Sequence, residues 1–433
     1  MISTQELEQY LPYARHVAQG PAVRRSLPAG YGIKPGMRVL VAVDSYYDEL
    51  VVEVIVRAIR EEGAKVDVFS ADMGPDRECD ELDEIRTFMG NTPYGGKEPI
   101  EPPIWRKDIE KLTEMMGYDL LVRGLGGPTP KTPFRYEGIP WISRDMLPAI
   151  MFPNELWDLV QRKAWGPIWE NGPGSRVRVT DPEGTDYSFT FLEEHFENPR
   201  YGFGREPFWG HLHGHPVPPY TEKEDAAGVV AGTTNHMSLP FPHIRVHVER
   251  GQVQRIEGGG KYGDAWRQLL EATKNIHYPD YPKPGLFWLW ETAIGTNPKF
   301  VRPRKVLMRS RGTVCDRLRS GIIHVGMGTR IFSPSEDWAR EKEVPFGHIH
   351  VHLCFSTYEL TSKKGEKFKI LDHGHLTALD DPDVVALAAK YGDPKELLKE
   401  SWIPSIPGIN APGNYMNDFA RDPASYIRAH EPA

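Results

Sequence analysis

Three histidines at alternate positions are the sharpest chemical feature of this sequence. They are His348, His350 and His352, within the segment FGHIHVHL. Alternate residues of a β-strand share one face, so three imidazoles are expected to line one side of a strand. Neutral imidazole is the commonest nitrogen ligand for transition metals in proteins. The spacing therefore predicts a metal site, and the alternative is a row of hydrogen-bonded polar side chains on a wet face.

Two residues upstream are candidates to complete such a site. His324 is the one polar ring in the apolar segment 321–328 (GIIHVGMG), and Glu291 stands among tryptophans in the segment 288–298 (WLWETAIGTNP). A buried carboxylate is costly unless it is paired or bound to a metal. Taken alone, His324 also fits a satisfied core histidine, and an arginine partner would explain Glu291 as well as a metal does.

The remaining histidines give weaker signals. One cluster comprises His211, His213 and His215 and lies in a segment rich in Gly and Pro, which predicts an ordered loop. A structural role is the first interpretation of these histidines, and a substrate-site or metal role is the alternative. A second set follows a β-rich pattern and is expected at the surface of edge strands, and comprises His236, His243 and His247. The segment 372–375 (DHGH) predicts a structural turn.

The elements that must position these residues fall into two halves. Residues 37–71 show a strand, a helix and a strand in succession, which predicts a parallel βαβ unit. A strand is expected at 149–152, and a helix at 155–170. Near residue 172 the pattern changes to alternating strands joined by turns. We therefore predict an α/β domain over residues 1–172 and an α+β, β-rich metal-binding domain over residues 173–433.

Composition limits the possible partners. The 433-residue chain has a formal net charge of -8, which argues against binding to nucleic acid or to anionic membranes, because both need a basic face. No apolar run reaches the roughly 18 residues of a membrane helix. The three scattered cysteines and the absence of a signal-peptide pattern predict a cytoplasmic protein. A small-molecule substrate is expected, and 11 tryptophans favour a homodimer or higher homo-oligomer.

Taken in order and spacing, several segments resemble the catalytic domain of the aminopeptidase T family. The matching features are Glu291 ahead of IGTNP, His324 in GIIHVGMG, the pair His350 and His352, and the turn at residues 372–374. The resemblance covers roughly the last 200 residues well and the N-terminal half loosely. It implies a metal-dependent enzyme whose ligands come from Glu291, His324, His350 and His352.

Three departures from the family pattern bear on its chemistry. The family's first metal-binding glutamate is expected near residues 228–230, where this chain has GVV, and His352 stands where the family has aspartate. The tyrosine expected after His324 is missing, with Arg330 and Phe332 in that stretch. Imidazole in place of carboxylate favours a single, softer transition metal over a two-metal peptidase centre.

The resemblance extends to the 2,5-dihydroxypyridine 5,6-dioxygenase branch of the family, which implies one Fe²⁺ and ring opening. Glu291, His350 and His352 would then form a triad of two histidines and one carboxylate. His324 would be a fourth ligand or an acid–base group, and His213 or His215 would move protons. Two alternatives remain open. One is a Zn²⁺ or Mn²⁺ metallohydrolase acting on an amide or cyclic substrate, and the other is a non-catalytic binding protein.

Overall fold

The structure is a computed structural model. It describes residues 2–20, 30–45, 47–71, 79–94, 105–124, 134–139, 143–197, 210–302, 316–330 and 333–430. The aromatic segment 201–209, whose composition suits a flat substrate and a core equally, lies outside these ranges. Phe332 and most of segment 124–132, where the Gly/Pro-rich sequence predicts a loop and not a phosphate cradle, lie outside them as well.

A parallel sheet forms the N-terminal part of the chain. Its strands, in the order β2-β1-β4-β5, are β1 (Arg38–Asp44), β2 (Lys65–Ala71), β4 (Leu120–Gly124) and β5 (Arg135–Ile139). Helix α2 (Glu49–Glu61) connects β1 to β2, and Asp48 caps its start by accepting a hydrogen bond from the Leu50 amide. Gly63, with φ +79°, follows its end. The predicted βαβ unit is confirmed.

The other elements of this half flank the parallel sheet or lead away from it. They are α1 (Thr4–Gln19), α3 (Asp83–Phe88), β3 (Met89–Gly90), α4 (Trp105–Met115), a 3-10 helix (Arg144–Met151) and α5 (Asn154–Asn171). The strand predicted at residues 149–152 is wrong, because this stretch belongs to the 3-10 helix and the turn after it. Pro148 and Pro153 bound the apolar run, and neither can donate a hydrogen bond to a neighbouring strand.

Two antiparallel sheets form the rest of the chain. The larger, in the order β11-β10-β9-β7-β6-β15-β16-β17, comprises β6 (Arg176–Asp181), β7 (Thr185–Thr190), β9 (Ala227–Thr234), β10 (Pro240–Glu249), β11 (Gln252–Gly258), β15 (Thr357–Thr361), β16 (Lys367–Asp372) and β17 (His375–Leu376). The smaller, in the order β3-β14-β13-β12-β8, adds β8 (His211–His213), β12 (Leu289–Gly295), β13 (Ile323–Gly328) and β14 (Phe346–Leu353) to β3.

Short helices complete the fold. They are α6 (Glu193–Glu197), α7 (Gly260–Thr273), α8 (Pro334–Glu341), α9 (Pro382–Ala388), α10 (Pro394–Leu397) and α11 (Pro423–His430), with 3-10 helices at Asp316–Leu318 and Thr377–Asp380 and a π-helix at Tyr415–Phe419. Within the described ranges, none of the helices combines the length and apolar character needed to cross a bilayer.

The two antiparallel sheets pack closely where β9 meets β14. A Cβ atom on Gly232 would lie 2.7 Å from Val351 Cγ1, so a glycine is needed for this approach. Val351 belongs with Ile349 and Leu353 to the main apolar core, which leaves the alternate, histidine face of β14 turned away from β9. Buried residues of α5 belong to the same core. The fold is mixed α/β, and the domain boundary at residue 172 stays a prediction.

Candidate metal centre

Three adjacent strands bring the predicted ligands together. Glu291 on β12 pairs with Gly326 on β13, and Gly326 pairs with His350 on β14. Two residues from Gly326 along β13, His324 pairs with His352. Residues two apart on a strand share a face, so the strand register places all four predicted ligands on one face of the sheet.

Gly326 leaves space between two of these side chains. A Cβ atom at this position would lie 2.9 Å from Glu291 Oε2 and 3.1 Å from His350 Cδ2. Any other residue would therefore project a side chain into the space between the carboxylate and the imidazole. The sequence GIIHVGMG thus supplies one ligand, His324, and the gap beside it.

Glu291, His324 and His350 form the first of two possible ligand groups, with ligand atoms all within 4.8 Å of one another. His324 Nε2 is 3.1 Å from Glu291 Oε2, and His350 Nε2 is 3.7 Å from the same oxygen. His324 and His350 are fully buried, and His350 Nε2 has no hydrogen-bond partner in the described part of the chain. A buried nitrogen lone pair beside a carboxylate is what a bound cation would satisfy.

His236, His324 and His352 form the second group. His324 Nδ1 is 2.6 Å from His352 Nε2 and 3.2 Å from His236 Nδ1. The expectation that His236 lies at the surface of an edge strand is wrong. It occupies the turn between β9 and β10, is 4% exposed, and stacks on the His350 ring with centroids 4.1 Å apart. The sequence indicates a turn at this position, but it does not indicate that the His236 side chain is buried.

Glu84 lies behind His350 and was not predicted. Its Oε1 is 2.8 Å from His350 Nδ1 and accepts a hydrogen bond from the His350 amide at 2.9 Å. The carboxylate also accepts a hydrogen bond from the amide of His236 and one from Tyr262 Oη at 2.8 Å. A carboxylate on Nδ1 fixes the imidazole so that its Nε2 lone pair faces the space near Glu291.

Asp316 occupies the corresponding place behind His352. Its Oδ1 is 3.0 Å from His352 Nδ1, and both side chains are fully buried. Ser238 Oγ donates a hydrogen bond of 2.6 Å to the same oxygen. Because Ser238 belongs to the turn that carries His236, this bond links both ends of the second ligand group. Asp316 was missed because it comes from a single 3-10 turn without a recognisable pattern.

Burial sets the protonation of the cluster. It lowers the pKa of His236, His324 and His350 well below the ordinary histidine value, so these rings are neutral near pH 7. The neutral ring is the form that binds metals. Burial also raises the pKa of Glu84 well above its usual range. A cation on the far side of His350 would offset the cost of the charged Glu84 carboxylate.

The Gly/Pro-rich histidine segment is a strand over His211–His213 and not the predicted loop. It pairs with β12, with His213 opposite Ala293. This partner is distant in sequence, so the local composition hides the strand. His213 Nε2 lies 3.8 Å from Glu291 Oε1, and its side chain is 22% exposed. The contacts of His215 within the described part of the chain are with Phe189, Tyr220, Pro216 and Glu224, and not with the cluster.

His348 and two aromatic side chains line one end of the cluster. His348 Nδ1 donates a hydrogen bond of 3.1 Å to the Thr329 carbonyl. Its ring is 5.2 Å from Trp290 and 6.1 Å from Phe88, measured between centroids. Trp290 contacts His348 and also belongs to the core, whereas Phe287 and Trp288 belong to the core.

No protein-family model matches the sequence, and no curated protein sequence matches it. Solved structures similar to this chain include 2,5-dihydroxypyridine dioxygenase from Pseudomonas putida KT2440, at 14% identity and a TM-score of 0.46, covering 87% of this chain and 98% of that one. Wild-type AmpT from Thermus thermophilus is similar at 13% identity and a TM-score of 0.46, covering 86% and 99%. Similarities at such low identity say nothing about the chemistry of the site, so the chemistry is argued from this chain's own residues.

Proposed function

We propose that the protein is a mononuclear non-haem iron dioxygenase that opens the ring of a hydroxylated aromatic or heteroaromatic, pyridine-like compound. The observation that supports this most is the group of Glu291, His324 and His350. Two imidazoles and one carboxylate, with other positions open, are the donor set of non-haem Fe²⁺ oxygenases. A ferrous ion held there would supply coordination positions for a substrate with two adjacent donor atoms and for dioxygen.

The surroundings of the site suit a flat substrate. Phe88 and Trp290 flank His348, and their apolar faces can pack on an aromatic ring. The assignment to a hydroxylated ring comes from the sequence resemblance, and the reaction class comes from the donor set.

His213 is the side chain placed to move protons. Its Nε2 lies 3.8 Å from Glu291 Oε1, and its partial exposure lets it exchange protons with water. An imidazole within reach of the substrate can accept a proton from a substrate hydroxyl. In this proposal His213 takes that proton while Glu291, His324 and His350 hold the reacting partners in place.

Oxygen uptake tests the proposal directly. The protein, purified anaerobically and loaded with Fe²⁺, is mixed with a panel of dihydroxypyridines and dihydroxybenzenes in an oxygen electrode. We expect stoichiometric oxygen consumption with at least one of them, and its loss in Glu291→Gln. His195→Gln is the matched control, because His195 is also buried but lies outside the cluster. An iron-loaded protein that consumes no oxygen with any of these substrates contradicts the proposal.

A metallohydrolase is the second candidate, favoured by the group of His236, His324 and His352. Three imidazoles with an open fourth position form a common catalytic zinc site, where the metal activates water. Zinc-dependent hydrolysis of an amide under anaerobic conditions, lost in His236→Gln, would support this candidate over the dioxygenase.

A further inference from the structure

Trp290 stands at an irregularity in strand β12. Leu289 pairs with Met327 of β13. Glu291 pairs with the neighbouring residue, Gly326, so Trp290 is an extra residue with no partner opposite it on β13. In a regular strand Trp290 and Glu291 would lie on opposite faces of the sheet. A β-bulge breaks this alternation and re-aims the side chain of the extra residue, so Trp290 is free to turn toward the face that carries Glu291.

The Trp290 side chain does reach the histidine face of β14. Its ring makes a T-shaped contact with the His348 ring, with centroids 5.2 Å apart and an angle of 82° between the planes. The His348 ring is in turn 4.7 Å from the ring of His350, a residue of the first ligand group. The indole is therefore one ring away from a proposed metal ligand, and it is only 4% exposed.

The indole N–H of Trp290 is buried and has no hydrogen-bond acceptor in the described part of the chain. Other buried tryptophans have one. Trp157 Nε1 donates to Thr296 Oγ1 at 2.8 Å. Trp288 Nε1 donates to the Gly285 carbonyl at 3.2 Å. A buried donor without an acceptor destabilises the protein, because its hydration is lost and nothing replaces it. Beside a proposed active site, such a donor is satisfied when a ligand brings the acceptor.

The side chains around Trp290 leave this N–H as the donor for a ligand. Phe88 has no polar group. His348 donates through Nδ1 to the Thr329 carbonyl at 3.1 Å. A neutral imidazole has one N–H, so the remaining nitrogen of His348 is an acceptor. Of the three rings that form this end of the site, Trp290 is thus the one with an N–H to offer.

We infer that Trp290 positions the substrate by donating a hydrogen bond from Nε1 to an oxygen of the ring that the metal binds. The inference rests on the proposed function for the kind of ring and for its place beside Glu291, His324 and His350. A hydroxyl oxygen that has lost its proton is the better acceptor, because a hydrogen bond to a charged group is roughly twice as strong as a neutral one. Trp290 therefore selects rings that carry an ionisable hydroxyl group.

Trp266 offers a matched control for this residue. Its Nε1 is also buried and without an acceptor in the residues that the structure describes. Its ring packs on Tyr262 and Phe287 within the main apolar core. Replacing either tryptophan by phenylalanine removes one buried, unpaired N–H and leaves an aromatic ring. The two changes differ in that only the one at Trp290 alters the proposed substrate position.

Affinity for a probe ligand tests the inference without turnover. Catechol, a ring with two adjacent hydroxyl groups, is titrated into the Zn²⁺-loaded protein and the heat of binding is measured. We expect Trp290→Phe to bind catechol about 10-fold more weakly than the wild type, the effect of losing one hydrogen bond to a charged group. Trp266→Phe should bind it as the wild type does. Equal affinities in all three proteins overturn the inference.

Nuclear magnetic resonance of the indole protons gives a readout that a purely structural role of Trp290 would not change. The protein is made with isotope-labelled tryptophan and loaded with diamagnetic Zn²⁺, and the signal missing from Trp290→Phe identifies its Nε1 proton. We expect this signal to move downfield when catechol binds, because a new hydrogen bond deshields the proton. The Trp266 signal, assigned in the same way, should not move. A Trp290 signal without a downfield shift overturns the inference.

The outcomes separate this inference from the proposed function. Oxygen consumption by the iron-loaded protein, together with an unchanged affinity in Trp290→Phe, overturns the role of Trp290 and leaves the proposed function standing. Catechol bound through Trp290, without oxygen consumption, contradicts the proposed reaction and supports the role of Trp290 in binding. A wild type that binds neither catechol nor any dihydroxypyridine overturns the inference as well.

Discussion

His350 and His375 are histidines on neighbouring sheets, each in contact with carboxylate, yet their chemistry is opposite. His350 is fully buried, and burial lowers its pKa well below the ordinary value despite Glu291 Oε2 at 3.7 Å from its Nε2. His375 is 39% exposed, and hydrogen bonds to Glu400 and Asp380 raise its pKa to about 9. One ring keeps a lone pair for a metal, and the other carries a proton for an ion pair.

The difference teaches that a carboxylate neighbour alone does not predict what a histidine does. Water around His375 lowers the cost of keeping both charges, so its partners hold the proton on the ring. Around His350 the missing solvation outweighs the attraction of Glu291, and the neutral ring remains available as a ligand. Four predictions test this contrast, from the largest expected effect to the smallest.

Removing the shared ligand should abolish metal binding. His324→Ala deletes a donor from both groups, so bound metal should fall from at least one ion to less than about a tenth of an ion per chain, because a site needs its full ligand set. Mass spectrometry of the desalted protein measures this. The matched change His195→Ala should leave the metal content as it is, and an unaltered content in His324→Ala would contradict the assignment of the site.

Removing the carboxylate behind His350 should weaken the site without destroying it. Glu84→Ala should reduce metal affinity by about 10- to 100-fold, the usual effect of losing a group that orients a metal-bound histidine. Competition with a chelator of known affinity measures the change. Glu81→Gln, a carboxylate change in the same segment, is the control. Equal affinities in the two variants would mean that Glu84 does not orient His350.

The metal-free protein should lose stability in acid. Burial lowers the pKa of His348 to about 4, below its value of 6.5 in the unfolded chain. The unfolded state therefore binds the proton first, and stability falls as pH drops from 6.5 toward 4. At pH 5 the low pKa of this histidine should reduce the free energy of unfolding by about 2 kcal/mol. Urea unfolding at pH 7 and pH 5 should show a smaller loss of the free energy of unfolding in His348→Gln than in the wild type. Equal losses in the two proteins would refute the assignment of this acid sensitivity to His348.

The contribution of His375 to the free energy of unfolding should disappear at alkaline pH. Its folded pKa of about 9 exceeds its unfolded value of 6.5, so its stabilisation is complete below pH 6.5 and is lost as pH rises through 9. Because the side chain is 39% exposed, solvent screening reduces the contribution to roughly 1 kcal/mol. His375→Gln should be less stable than wild type at pH 6 and equal to it at pH 10. A constant difference across this range would exclude the ion pair as its cause.

The strand-borne part of the site could be predicted from sequence. Alternation along β14 places His350 and His352 on one face, and the apolar segments around Glu291 and His324 mark them as unusual polar residues in buried strands. Periodicity carries this information because it is local. The same is true of the βαβ unit, where each element has its own pattern and its own end signals.

The rest of the site could not be predicted, because it depends on distant contacts. Glu84 stands in a six-residue helix, and nothing near it in the sequence points to His350. His236 and Asp316 each lie in a single turn, where no periodicity reports which side is buried. The resemblance implies a triad of Glu291, His350 and His352, but the structure groups Glu291 with His324 and His350, and His352 with His236 and His324.

The bond between Glu84 and His350 joins residues 266 positions apart. Contacts that close so long a loop form late in folding, because the chain entropy they cost is recovered only when much of the structure exists. During synthesis the segment around Glu84 emerges long before β14, so neither ligand group is complete until most of the chain has been made. Uptake of the proposed metal should therefore come late in folding, and its rate during refolding should follow the slowest folding phase.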